Sequence, residues 1–294
     1  MPFFNIHIVL FQTEISDDSI QFSEHGLYIA LTLLFIPGVT FELCVVLPAL
    51  IEKGSFLFYG HLAIAAFLLF NFLGNMYKGM STNTTIRGIN LDAFNKEDWT
   101  LCSACDCLRP PRSWHCDICE ACVLHRDHHC KYLANCIGYF NRRYFMMYTL
   151  YTFIGLMVSL VYNIVFLYPF VSWNYGLLLI KLSCPPLGII FDFSLDSFCV
   201  LFLESNAIAA NETGKLFFYH LNNILKGRLY PEKKSGSKYF IHNKGWRLDL
   251  IEAFGSRWYL IWISPFIKSE LPGNGIELPV NSRSYKIILI NGYF

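Results

Sequence analysis

Cysteine and histidine crowd one short window of this chain, and long apolar runs enclose the window on both sides; that pairing constrains the fold more than any other feature. Eight of the eleven cysteines (Cys102, Cys105, Cys107, Cys116, Cys119, Cys122, Cys130 and Cys136) lie there with His115, His125, His128 and His129. Ahead of it run Leu27 to Leu50 and Phe56 to Asn75, and behind it Tyr144 to Phe170, each reaching the ~20 residues with which a helix crosses ~30 Å of hydrocarbon. A fourth run, Leu187 to Ala210, carries Asp192, Asp196 and Glu204 and stands between a span and a buried helix. Only 15% of the chain is charged, against roughly 25% for an ordinary soluble domain, and 54% is hydrophobic, which excludes a soluble cytosolic globule.

Basic residues set the sidedness. Nine Lys and Arg fall between Met76 and Arg143 and twelve follow Ala210, whereas residues 51–55 and 171–186 hold only Lys53 and Lys181. The positive-inside rule puts both rich regions in the cytosol, so an even number of crossings must separate them and the fourth run is expected to span. The expected organisation is a cytosolic N-terminal segment over 1–26, transmembrane helices 1 and 2 over 27–75, a cytosolic cysteine-rich domain over 76–143, transmembrane helices 3 and 4 over 144–210, and a cytosolic C-terminal region over 211–294. The fold class is an all-α polytopic membrane protein with four transmembrane helices and a zinc-stapled loop. The first 26 residues lack Lys and Arg and so carry no secretory n-region, which makes the first span a signal-anchor. Glu42 lies inside that span and must face protein or water, because an ionised carboxylate in lipid is costly. No internal repeat stands out, and Lys233 to Lys238 reads as a solvated linker. Beyond it, Trp246, Leu250, Phe254 and Trp258 recur every four positions, either as a face on the bilayer surface or as a tail helix packed on the protein itself.

A cytosolic loop is kept reduced, so its cysteines are metal ligands or nucleophiles rather than disulfides. Cys102-x2-Cys105 and Cys116-x2-Cys119-x2-Cys122 have the gaps that let both sulfurs of a tight turn reach one tetrahedral Zn2+, and His115, His129 and Cys136 add ligands. Two closed sites need eight donors and twelve are present, so up to four are left over. Cys130 is the best candidate for a reactive one. In an extended segment His128 and Cys130 share a face while His129 points away. A free thiol with pKa ~8.5 needs an adjacent base to become a strong nucleophile; His128 can be that base, and Asp127 can hold its tautomer. The alternative is that all of these residues bind zinc.

The segment Cys102-x2-Cys105-x3-Arg109-Pro110-x-Arg112-x2-His115-Cys116-x2-Cys119-x2-Cys122-x4-Asp127-His128-His129-Cys130, continuing to Asn135-Cys136-Ile137-Gly138 and Asn141, resembles the cysteine-rich domain of the DHHC protein S-acyltransferases. The resemblance implies an enzyme that moves a palmitoyl group from palmitoyl-CoA to membrane-proximal cytosolic cysteines of proteins, through an acyl-enzyme at Cys130 with His128 as base and Asp127 as its orienting carboxylate. It further implies two structural Zn2+, one held by Cys102, Cys105, His115 and Cys122, the other by Cys116, Cys119, His129 and Cys136. Membrane lipid, palmitoyl-CoA and protein substrates are the implied partners, and the endoplasmic reticulum or Golgi the implied membrane, with both termini cytosolic. Arg109 and Arg112, with Arg142 and Arg143, are candidates for pairing with the phosphates of coenzyme A, or else with lipid headgroups.

The chain departs from that family where Lys131-Tyr132 follows the DHHC cysteine in place of Pro-Trp, where Asn211-Glu212-Thr213-Gly214 stands for a Thr-Thr-x-Glu motif, and where Asp249 replaces an Asn. Residues 255–278 most resemble the ZDHHC24-like branch. Cys107 and His125 are left with neither metal nor chemistry and are expected to tolerate substitution. A catalytically silent zinc-binding membrane scaffold is the rival reading. Nucleic acid is excluded as a partner, since the net charge is only +1 and the loop lacks a Cys2His2 finger spacing.

Overall fold

The computed structural model describes residues 35–91, 99–169, 175–234 and 245–276. The expected N-terminal segment, the start of the first apolar run, all but the first two residues of the 233–238 linker and the chain beyond 276 lie outside the described residues.

Helix α1, Phe35–Leu50, contains a π-helical turn at Glu42–Val46. That turn carries Glu42 toward helix α3, Arg142–Leu167, where Ser159 and Asn163 donate hydrogen bonds to its carboxylate and Asn206 in turn donates to Ser159. Glu42 Oε1 thus collects both donors, while Glu42 Oε2 and Asn163 Oδ1 are buried with no hydrogen-bond partner among the described residues. Helix α2, Phe56–Ser81, starts where the Ser55 hydroxyl accepts the Phe58 N–H at 3.1 Å and keeps its apolar face outward. By length and composition α2 and α3 can each cross a membrane.

The second half departs from four clean spans. Residues 175–191 form two short helices, α4 (Tyr175–Ser183) and α5 (Pro185–Phe191), and the chain then turns at Asp192–Ser194 into the long helix α6, Leu195–Ile224. Lys181 of α4 is buried between Asp192 and Asp196, 2.6 Å from each carboxylate, so two of the three acidic residues that weakened the fourth run are held by one cation. The described chain ends in two more short helices, α7 (Tyr230–Lys234) and α8 (Trp246–Phe254). Leu250 and Phe254 of α8 are buried in the main apolar cluster, so the tail packs on the protein. Gly255 ends α8 at φ 86°, and a Cβ there would come within 2.4 Å of Ser269 Oγ.

Between α2 and α3 the described chain is not helical, which corrects the all-α expectation. It forms three antiparallel hairpins: β1 Thr100–Cys102 with β2 Cys107–Arg109, β3 Trp114–Cys116 with β4 Ala121–Val123, and β5 His128–Cys130 with β6 Asn135–Ile137. Ligand pairs spaced two apart turn the chain back on itself, and three-residue strands are too short for a period-two pattern to reveal. The third hairpin is fastened under the helices. Asn135 Nδ2 donates to the carbonyls of Gly79, Met80 and Thr82, groups the C-terminus of α2 leaves unpaired. Buried Asn141, at the start of α3, donates to Gly79 O and Cys136 O. The main apolar cluster lies at this junction, where Ile137, Phe145, Met146, Phe217 and Phe254 meet.

Candidate active site and metal centres

The three hairpins are one unit repeated at a constant interval, led by Cys102, Cys116 and Cys130, which corrects the expectation of no internal repeat. Each pairs its first cysteine in the same register, Cys102 with Cys107, Cys116 with Ala121 and Cys130 with Asn135. Each turn closes on a left-handed residue at the same place: Asp106, Glu120 and Ala134, at φ 48°, 48° and 40°.

Two groups of four donors result, and each straddles two hairpins. Cys102 and Cys105 from the first turn meet His115 and Cys122 from the second hairpin; Cys116 and Cys119 from the second turn meet His129 and Cys136 from the third. Within each group all four ligand atoms lie within 4.8 Å of one another. The measured edges include Cys105 Sγ to His115 Nδ1 at 3.2 Å, Cys119 Sγ to His129 Nδ1 at 3.3 Å and Cys119 Sγ to Cys136 Sγ at 3.6 Å. A tetrahedron built on ~2.3 Å zinc–sulfur bonds has edges of about 3.8 Å, so both groups fit a zinc ion. The donor chemistry agrees. Hydrogen bonds from Cys119 and Cys136 pull the Cys116 thiol far down, while the Cys116 sulfur pushes Cys136 up, a competition among crowded thiols that a central dication removes. The Arg126 guanidinium lies against Cys116 and Cys136, and His115 Nε2 faces Asp117 at 3.5 Å, supports of the kind that tune ligand groups.

The third hairpin ends the series. Its turn carries Cys130 and Leu133 where the others carry two cysteines, and among the described residues no fourth hairpin follows to supply a histidine and a cysteine. Leu133 is fully buried and packs against Gly79 of α2 so closely that a Cβ on that glycine would sit 2.8 Å from Leu133 Cδ1. Cys130, 5% exposed, is therefore held at the edge of the apolar cluster by a leucine rather than a metal.

Strand β5 turns His129 into the second metal group and His128 the other way. His128 Nδ1 lies 2.8 Å from Asp127 Oδ2, and its ring also hydrogen-bonds the Cys130 side chain. An ionised carboxylate only accepts, so Nδ1 carries the proton and the remaining nitrogen keeps its lone pair. Burial alone lowers the affinity of His128 for a proton, but the bonds to Asp127 and Cys130 outweigh it and raise its pKa above the ordinary 6.5. Burial likewise pushes Asp127 up, and the His220 and His128 imidazoles overcome this to hold it well below the usual carboxylate range.

Two partners of Asp127 are absent from the sequence reading. His220, from the last turns of α6, places Nδ1 3.2 Å from Asp127 Oδ2, and the Tyr230 N–H donates to Oδ1 at 3.0 Å. A lone histidine on an amphipathic helix gives no local signal of this contact. The segment bearing Tyr230 is clasped by Arg112. Its Nε and Nη2 reach Glu232 Oε1 and Oε2 at 2.6 and 2.9 Å, Nη2 reaches Gly227 O at 3.0 Å, and Nη1 faces Glu252 at 3.5 Å. Arg112, a candidate phosphate contact in the sequence, has its guanidinium buried against the carboxylates of Glu232 and Glu252. Arg143 donates to Ser269 O at 2.6 Å and Arg142 is enclosed beside Asp127; Arg109 stays near the surface, donating to Thr100 Oγ1 at 2.9 Å. His125, expected to be dispensable, is buried at φ 46° with its ring on Tyr139 and Nδ1 3.9 Å from Glu252, so it is structural. Cys107 belongs to neither metal group, though it neighbours Cys105 and Cys122. Asn211 to Gly214 lie within α6, where Gly214 abuts the Phe153 ring.

Residues 95–235 match the family profile described as DHHC palmitoyltransferase. A Rattus norvegicus protein named "Probable palmitoyltransferase ZDHHC24" is 32% identical over 222 residues, 73% of this chain and 76% of its own length. The Homo sapiens protein of the same name is 32% identical over 262 residues, 84% and 89% of the two lengths. "Palmitoyltransferase ZDHHC15A" of Danio rerio is 29% identical over 207 residues, 66% of this chain and 56% of its own.

Proposed function

The chain belongs to the DHHC palmitoyltransferase family, and from that membership we propose that it is a protein S-palmitoyltransferase working through a thioester on Cys130. The observation that carries this reading is the line Asp127–His128–Cys130, with Cys130 outside both metal groups and against the apolar cluster. His128 takes the Cys130 proton as the sulfur attacks the thioester carbonyl of palmitoyl-CoA. The carbon–sulfur bond to coenzyme A then breaks, and its thiolate leaves with the proton returned from His128. In the second half-reaction His128 takes the proton of a substrate thiol, that sulfur attacks the Cys130 thioester, and Cys130 recovers its proton as the acyl group departs.

Cys102, Cys105, His115 and Cys122 would hold one structural zinc ion and Cys116, Cys119, His129 and Cys136 a second, and each ion would tie successive hairpins together rather than activate water. The rest of the reading concerns placement. A sixteen-carbon chain gains ~0.8 kcal/mol per buried methylene, whereas the phosphates of coenzyme A stay in water, so the reaction belongs at the bilayer interface. Four spans, counting α1 and part of α6, with the hairpins and both termini cytosolic, put Cys130 there. Arg109 remains a candidate phosphate contact. Membrane-proximal cytosolic cysteines of proteins are the acceptors, and the endoplasmic reticulum or Golgi is the membrane.

The test is a hydroxylamine-sensitive acyl label on purified protein given palmitoyl-CoA. Labelling that disappears in Cys130→Ser is the expected result. A label that persists in Cys130→Ser overturns the assignment, and a folded, zinc-loaded parent that takes no label points to the silent scaffold instead.

A further inference from the structure

The carboxylate of Asp127 is held from three separate stretches of chain. His128 beside it and His220 on α6 both direct Nδ1 at Oδ2, at 2.8 and 3.2 Å, and the Tyr230 N–H takes Oδ1. His220 is 7% exposed and flanked on its own helix by buried Phe217, Asn223 and Ile224, so it is presented from a packed and rigid element. The two imidazoles lie with centroids 5.0 Å apart, and the ring of Phe145 stands edge-on to both, 4.9 Å from His128 and 5.0 Å from His220. Neither His128 nor Asp127 can be fixed by the other alone, since they are adjacent on one strand entry and would swing together. The Asp127 N–H is tied within the hairpin to Ile137 O at 2.7 Å, but its carboxylate is held from outside, Oδ1 by the Tyr230 N–H and Oδ2, the oxygen that His128 uses, by His220 of α6.

We propose that His220 is a positioning residue of the acyl-transfer reaction: its Nδ1–H anchors Asp127 Oδ2 to α6, and the anchored carboxylate keeps His128 in the tautomer and orientation that accept the Cys130 proton. This rests on the acyl-enzyme reading given above and adds a residue to it. Because Oδ2 only accepts, both Nδ1 atoms carry protons, and His128 keeps its lone pair on the other nitrogen. Without the anchor the carboxylate retains the Tyr230 N–H but is free to rotate away from His128, and a misplacement of ~1 Å in a reacting geometry can cost about 100-fold.

The experiment is single-turnover acylation of the purified full-length protein by palmitoyl-CoA, with zinc content and thermal unfolding measured on each variant. His220→Phe keeps a ring against Phe145 and removes the donor; His220→Asn removes the ring and keeps an N–H at nearly the reach of Nδ1. The expected result is a fall of roughly 10- to 100-fold in the rate constant at saturating palmitoyl-CoA for His220→Phe, an unchanged half-saturating concentration, and recovery of most of the rate in His220→Asn. A folded His220→Phe protein within twofold of the parent overturns the proposal, as does a folded His220→Asn protein as slow as His220→Phe. Should His220→Phe lose its zinc, His220→Asn decides alone: folded and fast supports the anchor, folded and slow refutes it. A label that survives Cys130→Ser would sink the acyl-enzyme reading itself, whereas a Cys130-specific label undiminished in His220→Phe removes only the role of His220.

Discussion

Leu133 stands three residues after Cys130 in the third hairpin at the position where the first two hairpins place the second cysteine of a four-donor group, Cys105 and Cys119. An apolar side chain stands there in place of a thiol. Leu133→Ala should therefore cost about 2–4 kcal/mol through the cavity left against Gly79. Thermal unfolding should show the loss, single-turnover acylation should slow, and both zinc ions should remain. A variant that sheds a zinc ion instead would mean that Leu133 supports the metal groups rather than the nucleophile.

The straddling of hairpins makes zinc content a sharp readout. Cys116→Ser with Cys119→Ser should bring the ion count from near two to near one. Adding Cys136→Ser should change nothing further, because it empties the same site, whereas adding Cys122→Ser should bring the count toward zero although Cys122 and Cys116 share a hairpin. Mass spectrometry of the native protein reads these counts; equal losses from the two additions would contradict the ligand sets.

Arg112 offers a direct comparison of clasp and phosphate ligand. Removing it leaves Glu232 and Glu252 buried without their cation, a loss of about 3–5 kcal/mol for a broken buried pair. Arg112→Gln should lower the unfolding temperature and the yield of folded protein. In the protein that does fold, the half-saturating palmitoyl-CoA concentration should stay at the parent value. A stable variant with a raised half-saturating concentration would restore Arg112 to the phosphate.

The pH profile of acylation carries a sign that can be worked out. In the proposed reaction His128 is the base in its neutral form, and its pKa is raised because the Asp127 and Cys130 interactions outweigh burial. Activity should then be lost as pH falls through a midpoint above 6.5, the ordinary histidine value. Asp127→Asn removes the largest raising influence and leaves burial to lower the pKa, so the acid limb should move to lower pH while the plateau rate drops. A limb that stays in place in Asp127→Asn would show that another group controls it.

Much of the site could be read along the chain because its parts are neighbours along the chain. Cys102 with Cys105 and Cys116 with Cys119 are spaced for chelation, and Asp127, His128 and Cys130 fall within one turn and strand. The hairpin repeat was equally present in the order of residues, at Cys102, Cys116 and Cys130 and again at His115 and His129, but Leu133 hides it where a third cysteine pair would have shown it. The carboxylate partners of Arg112 were not legible for a general reason: a guanidinium suits a phosphate and a carboxylate alike, and Glu232 lies more than a hundred residues away.

By itself the sequence determined the local chemistry of this protein: which side chains can ligate zinc, that more donors are present than two closed sites need, and which stretches are apolar enough for a bilayer, since each of these depends on residues close in the chain. Only the tertiary structure decided what surrounds Asp127 and Arg112. Helix α6 packs along α3 and returns to the hairpins, bringing His220, Tyr230 and Glu232 against residues that precede them by about a hundred positions. Such contacts leave no periodicity or spacing in the sequence, because they are fixed by how helices pack and not by how far apart their residues are.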